Sequence, residues 1–126
     1  MIKLIDLIVE SKITPEIINK ILKQTEKEAK QNYNVDWDEL TPEMCNQGFC
    51  DDFANNLRKL YPGAELWQTY TSANPNVSVG HVWVKYKDKY YDAETPNGVS
   101  SWKEIPHIKR VYDRYGKYPN DIEVSS

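Results

Sequence analysis

Apolar residues recur three and four positions apart through the first half of the chain, a spacing typical of amphipathic helices. Asp6 and Glu10 interrupt the continuous apolar run that a signal peptide needs. Residues 2–10 are therefore predicted to form an amphipathic helix. A second helix is predicted from Pro15, since Thr14 is a good N-cap residue and proline suits the first helical position. Its apolar stripe indicates one buried face and one solvated face.

Two further helices are predicted before the middle of the chain. A loop over residues 32–40 leads to a cap signal at Thr41, which opens a short helix that Gly48 ends. A longer helix begins at Cys50, and the Tyr-Pro-Gly sequence of residues 61–63 stops it. The apolar stripe of this longer helix consists of Cys50, Phe53, Ala54, Leu57 and Leu60.

Beyond residue 63 the pattern changes to that of extended chain, with many Val, Tyr and Trp residues. Strands are predicted over residues 64–70, 77–86 and 89–93. A two-residue turn at Lys87 and Asp88 joins the last two strands as a hairpin. The second half of the chain is therefore expected to form an antiparallel sheet.

A closing helix and the overall class follow from the remaining pattern. A capping box at Ser101 and apolar spacing over residues 105–115 predict the helix. The 126 residues suit a single domain over residues 1–126, in which residues 1–40 form an N-terminal helical segment. The predicted fold class is α+β, with the N-terminal helices and the Cys50 helix packed on a small antiparallel sheet.

Charge and cysteine content narrow the functional classes. Sixteen Lys and Arg against 19 Asp and Glu give a net charge of −3, which removes the general attraction of a basic protein for nucleic acid. No window approaches the roughly 20 apolar residues of a membrane span, so neither nucleic acid nor a membrane is an expected partner. The two cysteines are too few for a secreted disulfide scaffold, and a cytoplasmic location is expected.

Cys50 is the first candidate for chemistry. A thiol at a helix start lies near unpaired backbone N–H groups and the positive end of the helix dipole, which favour the thiolate. Asp51 and Asp52 in the same turn favour the neutral thiol instead. Activation of Cys50 therefore requires a neighbouring imidazolium.

His81 and Asp92 lie on neighbouring predicted strands. With the predicted turn, Asp92 lies opposite Trp83 and on the same face as His81, because side chains alternate along a strand. Glu94 lies directly opposite His81 and is the alternative carboxylate. A loop of odd length would move Asp92 to the other face. We expect His81 and Asp92 to lie on the face that the Cys50 helix covers.

The second histidine, His107, is expected to have no catalytic role. The apolar stripe of the closing helix is set by Ile105, Ile108 and Val111, which leaves His107 toward solvent. The positive end of the same helix disfavours an imidazolium at this position.

Three short motifs follow one another in the chain: Gly-Phe-Cys at residues 48–50, His-Val-Trp at 81–83 and Tyr-Tyr-Asp at 90–92. In this order they resemble the transglutaminase-like branch of the papain-like cysteine hydrolase superfamily. Members of that branch carry a Gly-x-Cys at a helix start, a His-x-Trp on a strand and an Asp at the end of the next strand. The resemblance spans residues 46–95 and implies a papain-like core, with residues 41–126 as the catalytic part.

The resemblance implies a Cys-His-Asp triad that uses no metal or other cofactor. Cys50 is then the nucleophile, His81 the general base and acid, and Asp92 the group that orients the imidazole. Gln47 and Trp83 are the candidate oxyanion or substrate-binding residues. The Gln47 amide and the backbone N–H of Cys50 would face the oxyanion.

The function favoured by these residues is cysteine-dependent acyl transfer on a protein or peptide substrate. Release of the thioester by water gives a thiol protease, amidase or deamidase, whereas release by an amine gives a crosslinking enzyme. The small size of the chain favours water. A non-catalytic binding or inhibitory module for a protein or peptide stays open as the alternative.

Each candidate residue also has a structural interpretation. Cys50 lies on a helix stripe, where a free thiol is often an ordinary buried side chain, and His81 is equally compatible with a structural role. A zinc site built from both cysteines and both histidines is not favoured, because their spacing does not match a closed zinc site.

Overall fold

The computed structural model describes residues 12–70 and 80–126, which form an α+β fold. Within these residues there are four α-helices, one 3₁₀-helix and four strands. The helices are α1 (Pro15–Asn32), α2 (Pro42–Gly48), α3 (Cys50–Leu60) and α4 (Pro106–Tyr115), and the 3₁₀-helix spans Trp102–Glu104. The strands are β1 (Glu65–Thr69), β2 (His81–Tyr86), β3 (Lys89–Tyr91) and β4 (Glu123–Ser125). The helix predicted over residues 2–10 and the first residues of the predicted second strand, 77–79, lie outside the described residues.

The helix starts predicted from Thr14 and Thr41 are confirmed, whereas Ser101 caps the 3₁₀-helix and not the closing helix α4. Thr14 accepts a hydrogen bond from the backbone N–H of Ile17 at 3.3 Å, and Thr41 accepts one from Met44 at 3.2 Å. Each cap satisfies a backbone donor that the helix itself leaves unpaired. One helix prediction is wrong in detail, because Leu60, at the last position of α3, is 51% exposed.

The sheet is antiparallel with the strand order β3-β2-β1-β4. Lys87 and Asp88 form the predicted two-residue turn, with φ angles of 50° and 30°. These left-handed conformations belong to the tight hairpin turn whose twist matches that of the strands. The register places Val84 opposite Tyr91, as predicted, and β3 ends there, so Asp92 lies just beyond the ladder.

Helices cover both faces of the sheet. One core joins α1, α2 and α3 to Val82 and Val84 of β2. A second core on the opposite face joins Trp83 to Ile105, which precedes α4, and to Ile108 within α4. The two faces of β2 therefore carry alternating residues, as the strand period requires. None of the described helices has both the length and the apolar character needed to cross a bilayer.

Candidate active site

The predicted triad residues meet at one end of the sheet. His81 is the first residue of β2, and Asp92 directly follows β3, which runs antiparallel to it. Cys50 is the first residue of α3, and His107 is the second residue of α4. The starts of two helices and the ends of two neighbouring strands thus converge on one place.

His81 and Asp92 form a buried pair. The His81 Nε2 atom lies 2.9 Å from Asp92 Oδ2, and the two side chains are 0% and 1% exposed. A carboxylate can only accept a hydrogen bond, so Nε2 carries a proton toward Asp92. In the neutral ring this leaves Nδ1 as the free acceptor. The spatial pairing expected from the hairpin register is present.

The Asp92 carboxylate is held by three further donors. Oδ1 accepts from the Glu94 backbone N–H at 2.9 Å and from the Thr95 hydroxyl at 3.1 Å. Oδ2 accepts from the Asn46 side-chain amide at 3.1 Å, in addition to His81. These contacts fix the direction in which the carboxylate faces the imidazole.

Further hydrogen bonds and an ion pair lie next to the His81–Asp92 pair. The Asn46 amide also donates to Glu94 at 2.8 Å, and Arg110 donates to both Glu94 oxygens, at 2.6 and 3.1 Å. Such a two-pronged contact is the strong geometry for a guanidinium and a carboxylate. Glu94, the alternative carboxylate of the sequence analysis, therefore ties α2 to α4, whereas Asp92 contacts His81.

Cys50 is half-buried at the start of α3. Phe49, which precedes the helix, provides no side-chain cap. The first-turn amides of α3 are thus free of a competing side-chain acceptor at that position. Cys45 differs, because it is fully buried in the first core, and burial raises the pKa of its thiol.

The Cys50 thiol lies beside His81 and acts on its charge. Burial opposes the charged ring, but the hydrogen bonds and charges of Asp92 and Cys50 outweigh burial and raise the pKa of His81 to about 9. His81 Nδ1 forms no close, well-aligned hydrogen bond within residues 12–70 and 80–126. Loose geometry between a nucleophile and its base is common in proteins without substrate.

The face on which His81 lies differs from the prediction. His81 stacks on Trp83, with ring centroids 5.6 Å apart, and Trp83 belongs to the core beneath α4. The body of α3 packs instead on the face of Val82 and Val84. Cys50 and His81 lie close together because each is the first residue of its element. At this end of the sheet the strands no longer stand between the two faces.

His107 is the clearest departure from the sequence analysis. It is 7% exposed rather than solvent-facing, and its ring stacks on His81 with centroids 4.4 Å apart. Burial, together with the nearby charges of His81 and Arg110, lowers the pKa of His107 to about 4. A neutral ring therefore lies against a charged one. The signal for its burial was Val111, because residues four apart lie on the same face of a helix.

Trp83 and Gln47 take very different positions. Trp83 is fully buried, so it supports the His81 ring from behind and has no surface for contact with a ligand. Gln47 is exposed and donates from its amide to Glu43 at 3.4 Å. Only Gln47 of these two predicted residues borders open space.

A cleft of about 280 Å³ opens beside the pair of histidines. Its walls come from the end of α2 and from one side of α4. The lining residues are Gln47, His107, Arg110, Val111, Arg114 and Tyr115. Sequence reasoning missed this cleft, because the two helices are far apart in the chain.

No cluster of His, Cys, Asp and Glu side chains suited to a metal ion occurs among the described residues.

Comparisons of the chain with family models, with characterised proteins and with solved structures found no match. The geometry of the site is therefore the basis for a functional conclusion.

Proposed function

We propose that this protein is a cysteine-dependent enzyme that hydrolyses an amide bond, and that its core is a small papain-like, transglutaminase-like one. The observation that carries the proposal is the buried His81–Asp92 pair, with Nε2 and Oδ2 2.9 Å apart, beside the half-buried thiol of Cys50. A nucleophile, a base and a group that orients the base are the parts of a triad.

The two ring nitrogens of His81 have different roles in the proposed triad. Nε2 is engaged by Asp92, so Nδ1 is the atom that takes the proton of the Cys50 thiol. The thiolate sulfur then attacks the amide carbonyl, and the electron pair of the carbonyl moves onto oxygen. When the C–N bond breaks, Nδ1–H gives its proton to the departing amine and a thioester remains.

Water completes the reaction. Nδ1 takes a proton from the water that attacks the thioester, and the proton passes to the sulfur of Cys50 as the C–S bond breaks. The products are a carboxylic acid and an amine. If a second amine attacks in place of water, the same steps give a new amide bond.

Backbone N–H groups at the start of α3 supply the oxyanion contact in this proposal. The N–H of Cys50 is near the attacking sulfur by covalent geometry, and no side chain caps the helix at Phe49. Gln47 borders the cleft and is the side-chain donor we assign to the same oxygen. Donors fixed in place before reaction are the most effective ones.

The experiment is alkylation by iodoacetamide at pH 6, with peptide mapping of both cysteines. Cys50 should react at least about tenfold faster than Cys45, because only an imidazolium-paired thiol keeps thiolate character at this pH. His81→Ala should remove the advantage of Cys50. Hydrolysis is followed in parallel with casein as an unfolded protein substrate, by release of new amino groups or of ammonia.

Two variants make the alkylation result decisive. Cys45→Ala should keep the fast labelling, and Cys50→Ser should lose it together with hydrolysis. Equal labelling of both cysteines, or labelling of Cys50 only on unfolding, contradicts the proposal. In that case the non-catalytic binding module becomes the better interpretation of the fold.

A further inference from the structure

The hydrogen bond between His81 and Asp92 fixes only part of the position of the His81 ring. Rotation about the bond that joins the ring to Cβ is soft, because the χ2 torsion of histidine has broad minima. Nε2 lies close to the axis of this rotation, since it is on the far side of the ring from Cβ. A turn of the ring therefore changes the 2.9 Å contact with Asp92 only slightly, whereas Nδ1, which lies farther from the axis, swings to a new direction.

The direction of Nδ1 matters because this atom takes the proton of the Cys50 thiol in the proposed mechanism. Proton transfer requires that the donor and the acceptor lie within hydrogen-bond reach. A misplacement of about 1 Å can lower a reaction rate by about a hundredfold. A contact other than the one with Asp92 is therefore needed to hold the plane of the His81 ring.

Two flat side chains lie against His81. The centroid of the Trp83 ring is 5.6 Å from that of His81, and the two planes are 30° apart. The His107 ring is closer, with a centroid distance of 4.4 Å and planes 29° apart. Both neighbours are buried. In a close-packed interior, the His81 ring cannot turn about χ2 without pushing into these rings.

His107 is itself held in place by the first turns of α4. It is the second residue of this helix, and the next residue, Ile108, is fully buried in the second core. Arg110, three positions after His107, donates to both carboxylate oxygens of Glu94, in the loop after β3. The start of α4 is thus anchored on two sides, and His107 presents a fixed face to His81.

The charges around the two rings allow this close stack. Burial and the nearby charges of His81 and Arg110 lower the pKa of His107 to about 4, although Asp92 and Glu94 act in the opposite direction. His107 is therefore neutral at neutral pH and does not repel the imidazolium of His81. The face of a neutral aromatic ring also attracts a cation.

We propose that His107 is a positioning residue, which holds the plane of the His81 ring so that Nδ1 faces the Cys50 thiol. The inference rests on the proposed function, because that function gives Nδ1 its role. The ring contact itself does not depend on the reactivity of Cys50. In this proposal His107 neither contacts the substrate nor exchanges a proton with it.

The experiment compares two replacements of His107 that differ in shape. His107→Phe keeps a flat ring against His81, whereas His107→Leu fills the space with a branched side chain that is not flat. Alkylation of Cys50 by iodoacetamide at pH 6 is measured in both variants. The Phe variant should react within about twofold of the unaltered protein, and the Leu variant at least about tenfold more slowly, because its Nδ1 is misplaced.

At pH 6 this comparison reports on the orientation of the His81 ring and not on its charge. The pKa of His81 is about 9, so NMR titration should find this ring charged at pH 6 in both variants. If His81 is neutral at pH 6 in the Leu variant, His107 acts on the charge of His81, and the positioning role is wrong.

Ile108→Val is the matched control for a general loosening of α4. It removes one methylene group from the neighbouring buried position of the same helix and leaves both histidines in place. Labelling of Cys50 should stay within about twofold, because the loss of a core methylene lowers stability without removing a contact of the His81 ring.

Two results overturn the positioning role: equal labelling rates in the Leu and Phe variants, or an equal slowing by Ile108→Val. Slow labelling of Cys50 in the unaltered protein is instead the failure of the proposed function. The ring contact is then tested by nuclear Overhauser effects between the ring protons of His81 and Trp83. These should be kept in His107→Phe and changed in His107→Leu, and if they are the same in both variants, His107 does not hold the ring.

Discussion

At the scale of single residues, the charge on His81 determines whether Cys50 can act as the proposed nucleophile. Two neighbours stabilise the imidazolium of this buried ring, and the pKa of His81 is raised to about 9. A charged ring both supports a thiolate and can protonate a departing amine. Below about pH 9 the ring is charged, and above it the acid needed for amine release is lost. In the proposed mechanism, hydrolysis should therefore decline as pH rises through this value.

Asp92→Asn should lower the pKa of His81 by at least one unit, because an opposite charge in contact with a ring accounts for roughly 1–3 units. Hydrolysis at pH 8 should then fall by at least about twofold, because a pKa that drops from about 9 to about 8 takes the charged fraction of the ring from about nine-tenths to one-half. NMR titration of the His81 ring and the pH profile of casein hydrolysis check both effects.

Glu94→Gln is the matched control for this change, since it neutralises a carboxylate of the same network that contacts Asn46 and Arg110 rather than His81. It should shift the His81 titration less than Asp92→Asn does. A larger effect of Glu94→Gln would identify Glu94 as the carboxylate that orients the imidazole.

At the scale of elements, the loop after β3 holds Asp92 in place. The Thr95 hydroxyl accepts from the Asp92 backbone N–H at 2.6 Å, and the Gly98 N–H donates to the Thr95 carbonyl at 2.9 Å. Gly98 has a φ of +74°, and a Cβ atom there would lie 2.8 Å from the ring of Tyr91. The loop therefore needs glycine both for its conformation and for space.

Gly98→Ala should destabilise the protein more than Gly116→Ala, although both positions have a positive φ. Gly116 has open space around it, so its replacement costs only the backbone term of about 1–2 kcal/mol. Gly98→Ala adds a clash with Tyr91 worth roughly 1–3 kcal/mol. Urea denaturation of the two variants gives the difference, and equal midpoints would contradict the close packing of Tyr91 on this loop.

The elements differ in how far the sequence predicts them. The capped helices and the hairpin turn are predictable, because Thr14, Thr41 and the Lys87–Asp88 pair act through neighbours in the chain. β4 is not predictable, since its three exposed residues form a strand only by pairing with β1, far away in sequence.

The candidate site shows the same division between local and distant contacts. Cys50, His81 and Asp92 are accessible to sequence reasoning because their motifs and the hairpin register are local. Asn46 and Arg110 are not, because their roles arise only where α2 and α4 meet Glu94. His107 was misplaced for a different reason, since the stripe was aligned on Ile105, which precedes α4, whereas His107 shares its buried face with Val111.

At the scale of the whole molecule, the stacked histidines link stability to pH. His107 has a pKa of about 4 in the fold against about 6.5 in an unfolded chain. Between these values the unfolded chain binds more protons than the folded one, so acid favours unfolding. The free energy of unfolding should therefore fall as pH decreases from about 6.5 toward 4.

His107→Phe removes this titration but keeps an aromatic ring against His81. Between pH 7.5 and pH 5 the unaltered protein should lose about 2 kcal/mol of unfolding free energy more than the variant, from the shift in the pKa of His107. Chemical denaturation at the two pH values measures the difference. Parallel losses in both proteins would mean that His107 titrates normally in the fold.

The stacking of Trp83 on His81 should also make the protonation state of His81 detectable by tryptophan fluorescence. Trp83 lies between the His81 ring, 5.6 Å away, and the Trp102 ring, 6.3 Å away. An excited indole transfers an electron to an imidazolium more readily than to a neutral imidazole, so we expect a charged His81 to quench the emission of Trp83. The fluorescence of Trp83 should therefore brighten when the His81 ring gives up its proton, and it reports on the charge of this buried ring.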